Sequence, residues 1–301
     1  MIGTLRVLAR AFRTPSGVAG GLLTSGVFVL AITGPFLAPM ESNHVDLSAR
    51  LASPSAKHLF GTDELGRDLL SRVLDGASRT VPAAIVVVAS AVVIGVALGA
   101  IAGYYGRFID TAIMRVTDIF IGYPALLLAI AIAAALGVGM VQTVVALAAV
   151  WWAGYARLVR GQTTAVRQLL FIEAAKVNGV GGARILWSHI LPNIMAPVIV
   201  KATVDLALVV ESVAALGFIG LGAQPPAAEW GSMVANSQTY ALQAWWYPLF
   251  PGLALLIVVL GSNLLGDGLT QALGSVGHVM PARGLTQRWL RLRRPRDAQA
   301  A

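Results

Sequence analysis

Residues Ala165 to Ile194 read AVRQLLFIEAAKVNGVGGARILWSHILPNI. A polar, helix-forming stretch carries Glu173-Ala174-Ala175 and meets Asn178-Gly179, a helix stop because glycine accepts the left-handed backbone. A second short helix, about Ala183 to Ile190, is expected after the flexible Gly181-Gly182 pair, with Pro192 ending it. Two short helices meeting at a glycine bend make a compact knob. The small side chains at 174 and 175 let another surface approach the backbone closely.

The chain around this knob is built for a bilayer. Its 301 residues are 57% hydrophobic and only 12% charged, with a mean hydropathy of +0.75. So few charges could not cover the surface of a soluble globule, and the numbers exclude disorder, collagen and coiled coil. Windows of about 20 apolar residues mark membrane spans. They lie at Gly17–Leu37, Val81–Tyr104, Ile119–Val138, Val141–Leu158, Ile194–Val213 and Leu249–Leu265. The first comes after Arg6, Arg10 and Arg13 and is too long for a signal-peptide core, so it reads as an uncleaved anchor. The expected fold is an all-α membrane protein with six transmembrane helices and both termini cytoplasmic.

The positive-inside rule supports that orientation. With the N-terminus inside, the cytoplasmic segments carry 16 basic and five acidic residues, and the opposite side five basic and seven acidic. The result is +11 inside, −2 outside and −1 within the fifth span, which together make the formal +8. That charge orients the protein and implies no nucleic-acid partner. The basic C-tail, Arg288 to Arg296, suits anionic lipid. The chain divides into three segments: 1–80, a tail, first span and extracytoplasmic loop ending in an amphipathic helix over Glu64 to Ser78; 81–274, a five-span core with the knob at 165–193; and 275–301, a basic tail.

Zero cysteines exclude a thiol nucleophile and Cys-ligated metal, and the four scattered histidines make no short-spaced metal pair. No lysine follows a glycine, so there is no phosphate-cradling Walker loop. The chain reads as a non-catalytic subunit with no cofactor of its own. A secondary transporter would show an inverted repeat, and a membrane enzyme a nucleophile–base or metal constellation; neither pattern is found.

The 165–194 stretch resembles the EAA loop of ABC-importer permeases. Glu173, Ala174, Ala175 and Gly179, with His189-Ile190-Leu191-Pro192-Asn193, stand in that register. Phe60-Gly61-Thr62-Asp63-Glu64-Leu65-Gly66-Arg67-Asp68, Leu216-Gly217-Phe218, Glu229-Trp230-Gly231 and Asn263 to Leu269 are similar to signatures of the dipeptide/oligopeptide/nickel permease family. The extra first span resembles the C-type member of its permease pair. The ending after Leu269, Thr270-Gln271-Ala272-Leu273, departs from the family's acidic one.

The resemblance implies a type I ABC-importer permease of the bacterial inner membrane. It implies a second permease subunit, two cytosolic ATPase subunits or one fused ATPase holding ATP and Mg, and an extracytoplasmic substrate-binding protein. Peptides are the leading cargo; nickel, haem or another small solute remain open. The implied ATPase-coupling residues are Glu173, Ala174, Ala175, Gly179, Arg184, His189, Leu191, Pro192 and Asn193. Asp63, Arg67, Asp68, Glu229 and Trp230 are candidates for binding-protein contact, with a structural Arg67-to-acid pair equally open, and Asp205, Glu211 and Phe218 for a translocation path or gate. Lys201 and Asp205 lie four apart on one helix face, so a mutually neutralising pair and a path-lining counter-charge both stay open.

Overall fold

A computed structural model describes residues 12–277. Arg6, Arg10 and the basic tail Arg288 to Arg296 lie outside the described residues. Among the described residues the chain is helical, with one isolated bridge between Thr62 and Asp68. Helix α1 is Pro15–Leu37, α2 Leu69–Tyr105, α3 Arg107–Gly122, α4 Ala125–Leu136 and α5 Met140–Arg167. Next come α6 (Leu170–Val177), α7 (Gly182–Ile185, continued by a π turn over Leu186–Ile190), α8 (Leu191–Phe218), α9 (Trp230–Ser237) and α10 (Trp246–Gly277).

Helices α1, α2 and α10 are each long and apolar enough to cross a membrane, and α3 with α4 would make a further span bent by 93°. The bend changes the expected third span. Pro124 pushes Tyr123 into extended backbone (φ −102°, ψ 148°), which stops α3 at Gly122. Beyond the break, α4 has 12 residues, about 18 Å of helix, too short to cross alone.

The expected amphipathic helix over Glu64 to Ser78 also changes. Residues 63–66 form a turn, Asp68 caps the helix by accepting the Ser71 amide at its Oδ2 (2.9 Å), and α2 then runs unbroken for 37 residues. A boundary at residue 80 therefore falls inside one continuous helix.

Glycine sets how closely the helices approach. Gly95, Gly99 and Gly103 recur every four residues along α2, and a Cβ on any of them would lie within 3 Å of α5 atoms between Trp152 and Thr163. Close backbone packing of this kind holds helices together where lipid offers no hydrophobic drive. In the same way Gly20 meets the Leu265 backbone, and Gly268 meets Gly17, across α1 and α10. Between α3 and α5, Arg160 grips Asp110 with two bonds of 2.9 and 2.6 Å, and Arg157 reaches Asp118 at 2.6 Å.

Two buried apolar clusters lie along the bundle. One gathers Leu69, Val73, Val213, Leu216, Trp230 and Tyr247. The other joins Trp152, Tyr155 and Val159 of α5 to Ile172, Ile185 and Ile190, so the knob is seated on the bundle by its own isoleucines.

Candidate functional site: an exposed knob and the charged face of one long helix

Helix α6 ends in a Schellman motif. The Gly179 amide donates to the Lys176 carbonyl and the Val180 amide to Ala175, both at 3.0 Å, with Gly179 at φ +76°. Asn178 adds a side-chain bond from Nδ2 to the Ala174 carbonyl at 2.9 Å. The exit from α6 is thereby fixed by hydrogen bonds rather than left loose.

The exit from α7 differs from the sequence expectation. Pro192 does not end the second helix. It sits in the first turn of α8, and the chain winds from Gly182 to Phe218 through the π turn. Proline lacks an N–H and crowds the carbonyl four residues back. The wider turn places the Leu191 amide on the Leu186 carbonyl, and Asn193 Nδ2 donates to the His189 carbonyl at 2.6 Å. The knob therefore runs into α8 with no loop between them.

Glu173, Ala174, Gly179, Arg184 and Asn193 are exposed, Ala175, His189 and Pro192 half-buried, and Leu191 buried. Beside them the structure shows an apolar cap that sequence reading missed: Leu170, Val177 (88% exposed) and Trp187 stand in the open, with Phe171 half exposed. Only the burial of Ile172, Ile185 and Ile190 on the bundle side separates these residues from their apolar neighbours.

Helix α8 runs from the knob to the opposite end of the bundle. Lys201, Asp205 and Leu208 share one face of it at i, i+4 and i+7, and Glu211 and Phe218 follow further along the helix. Lys201 Nζ stands 3.1 and 3.0 Å from the two Asp205 oxygens and 5.0 Å from the Tyr155 ring centre. The neutralising pair is therefore present. Asp205 is 5% exposed, whereas Glu211 and Phe218 are open.

At that opposite end the conspicuous charges turn inward. Asp63 accepts Arg67 Nε at 2.6 Å and pairs with Arg72 Nε at 3.3 Å, while its other oxygen takes the amides of Leu65 and Arg67. Glu64 holds Arg67 at 3.1 Å and the Tyr247 hydroxyl. Asp68 pairs with His58 Nδ1 at 3.0 Å. Trp230 donates from Nε1 to the Val73 carbonyl at 2.9 Å. Glu229 caps α9 by accepting the amides of Gly231 and Ser232 at 2.8 and 2.9 Å, and burial pushes its carboxyl up against the pull of those two donors.

Asp63, Arg67, Asp68, Glu229 and Trp230 are all buried. Each makes internal bonds: Asp63 ties the loop to α2 through Arg72, Trp230 ties α9 to α2 through Val73, and Glu229 caps α9 itself. Arg67, Arg72, Glu64 and Phe218 also edge a cleft of about 390 Å³ at the end of α8.

The family model described as "binding-protein-dependent transport system inner membrane component" matches residues 95–275. The chain belongs to that family. The match takes in the knob and the whole of α8. Over 260 residues the chain is 45% identical to the probable D,D-dipeptide transport system permease protein DdpC of Escherichia coli (strain K12), covering 86% of this chain and 87% of that one. It is 43% identical over 256 residues to the dipeptide transport system permease protein DppC of Alkalihalophilus pseudofirmus, with 85% and 84% covered. The fold is similar to a chain of the MetNI methionine ABC transporter in inward-facing form (TM-score 0.53, 18% identity, 67% of this chain and 96% of that one).

Proposed function

We propose that this chain is one of two permease subunits of an ATP-driven importer of short peptides in the bacterial inner membrane. Six crossings with both termini in the cytoplasm place the knob on the cytoplasmic side and the Asp63 cluster outside. A second permease subunit completes the path, an extracytoplasmic binding protein delivers the peptide, and cytosolic ATPases, two chains or one fused, bind ATP and Mg. The names of the relatives support peptides as the cargo.

One observation carries the coupling role. The knob presents an apolar cap to water while its isoleucines and the π turn join it to the bundle and to α8. An exposed apolar patch on a stiff mount is what a partner's socket requires. ATPase closure would press on Leu170, Val177 and Trp187 and tilt α8, exposing its charged face alternately to the two sides.

The test is co-purification. Val177→Asp with Trp187→Ser should leave membrane insertion and the amount of permease pair unchanged, while the ATPases are lost on purification and peptide uptake falls with them. Retention of the ATPases by that variant would contradict the role.

A further inference from the structure

Lys201 and Asp205 stand on the wall of a cleft of about 370 Å³, which opens where α3 breaks at Tyr123. Tyr123, Trp151 and Leu208 line it with them. Its size falls in the range of roughly 300–1,000 Å³ typical of small-molecule sites. Asp205 is nearly buried, the Lys201 side chain is one-third exposed, and the buried Tyr155 ring backs the ammonium. Two opposite charges thus face one space.

An ion pair that served only to neutralise itself would be an expensive choice here. Ionisable groups at membrane depth are costly, and a well-packed apolar pair often serves stability equally well. A pair beside an open cleft can instead exchange partners. Further along α8, Phe218 edges the outer cleft with Arg67 and Arg72.

We propose that this cleft is a transit site for the termini of a short peptide. The peptide ammonium takes the place of Lys201 on Asp205, and the peptide carboxylate takes the freed Lys201 ammonium. No bare charge is left in the membrane, because Lys201 and Asp205 pair again when the peptide leaves. The inference rests on the peptide reading above and adds the place where the zwitterion is held.

The complete transporter, reconstituted in liposomes with its ATPases and binding protein, provides the test. An alanyl dipeptide with a diazirine side chain, irradiated during ATP turnover, should crosslink to Tyr123, Trp151 or Leu208. Asp205→Asn and Lys201→Gln should each lower that crosslink and the uptake of radiolabelled Ala-Phe roughly tenfold or more, the loss of one charge-assisted contact. The reversed pair, Lys201→Asp with Asp205→Lys, keeps neutrality and should assemble, yet leave uptake low.

Full uptake by the reversed pair, or wild-type crosslinks confined to residues outside the cleft, overturns the site while wild-type uptake upholds the peptide reading. No ATP-driven peptide uptake by the wild type overturns both.

Discussion

A methyl group added to Gly217 would stand 2.0 Å from Oε2 of Glu229. The last turn of α8 is thus moulded around the carboxylate that caps α9. Gly217→Ala must displace Glu229 or split the two helices. The expected loss is about 1–3 kcal/mol from overpacking, seen as a lower midpoint in thermal denaturation of the detergent-purified protein. By contrast Gly26, whose added Cβ meets nothing within 4 Å, should accept alanine with no loss.

Glu229 also predicts a pH effect. Its unfolded carboxyl releases a proton near the ordinary 4.5, whereas burial holds the folded proton to higher pH. Across that window the folded state binds more protons, so the group's contribution is full below 4.5 and declines as pH rises through the folded value. Glu229→Gln stays neutral throughout. The thermal midpoint of the variant should therefore gain on that of the wild type as pH is raised from 4 to 8. A difference that stays constant with pH would refute the assignment.

Gly179 has room around it but an unfavourable backbone, with φ at +76° and nothing within 4 Å of an added Cβ. Chemistry at this position should follow backbone preference rather than size. Gly179→Asn, which tolerates the left-handed region, should keep most peptide uptake, and Gly179→Val should lose it at normal membrane levels, with a strain of about 1–3 kcal/mol.

The cysteine-free sequence allows a direct test of sidedness. Ser53 and Ser188 stand at opposite ends of the bundle, and both are exposed. Ser53→Cys should react with a membrane-impermeant maleimide in intact spheroplasts, and Ser188→Cys only after permeabilisation. The reverse pattern would invert the proposed topology.

Gly99 lies between the Ala156 carbonyl and Val159. Gly99→Leu should force α2 from α5 and cost at least about 1–3 kcal/mol, measured as a loss of folded protein after membrane extraction.

Much of this was legible in sequence because it depends on local pattern. Apolar runs marked α1, α2 and α10, which are long and apolar enough to cross a membrane, and Glu173-Ala174-Ala175 with Gly179 marked a knob ending in a glycine turn. The break at Tyr123-Pro124 was missed because a hydropathy average weighs side chains and ignores what proline does to its predecessor. A structural Arg67-to-acid pair was one open reading of the sequence, but the inward turn of Asp63 and Glu229 was missed, for another reason. Charged loop residues are usually exposed, and their own bonds are local, but the packing that buries them is brought from remote places: Tyr247, which donates to the neighbouring Glu64, is 183 residues away, and the Trp230 indole reaches Val73 across 157. The apolar cap of the knob was hidden because Leu170 and Val177 look like any other helix-forming apolar residues until the buried side is known.

The unbroken α2 joins the two faces of the transporter. Its first turn is held by Asp68 and Ser71 in the ion-pair cluster. About 55 Å further on, its last turn brings the Tyr104 hydroxyl to 3.0 Å from where a Cβ on Gly182 would stand, at the base of the knob. One stiff element therefore ties the buried ion-pair cluster at one end of the bundle to the base of the knob at the other, so neither end can shift along the helix axis without the other.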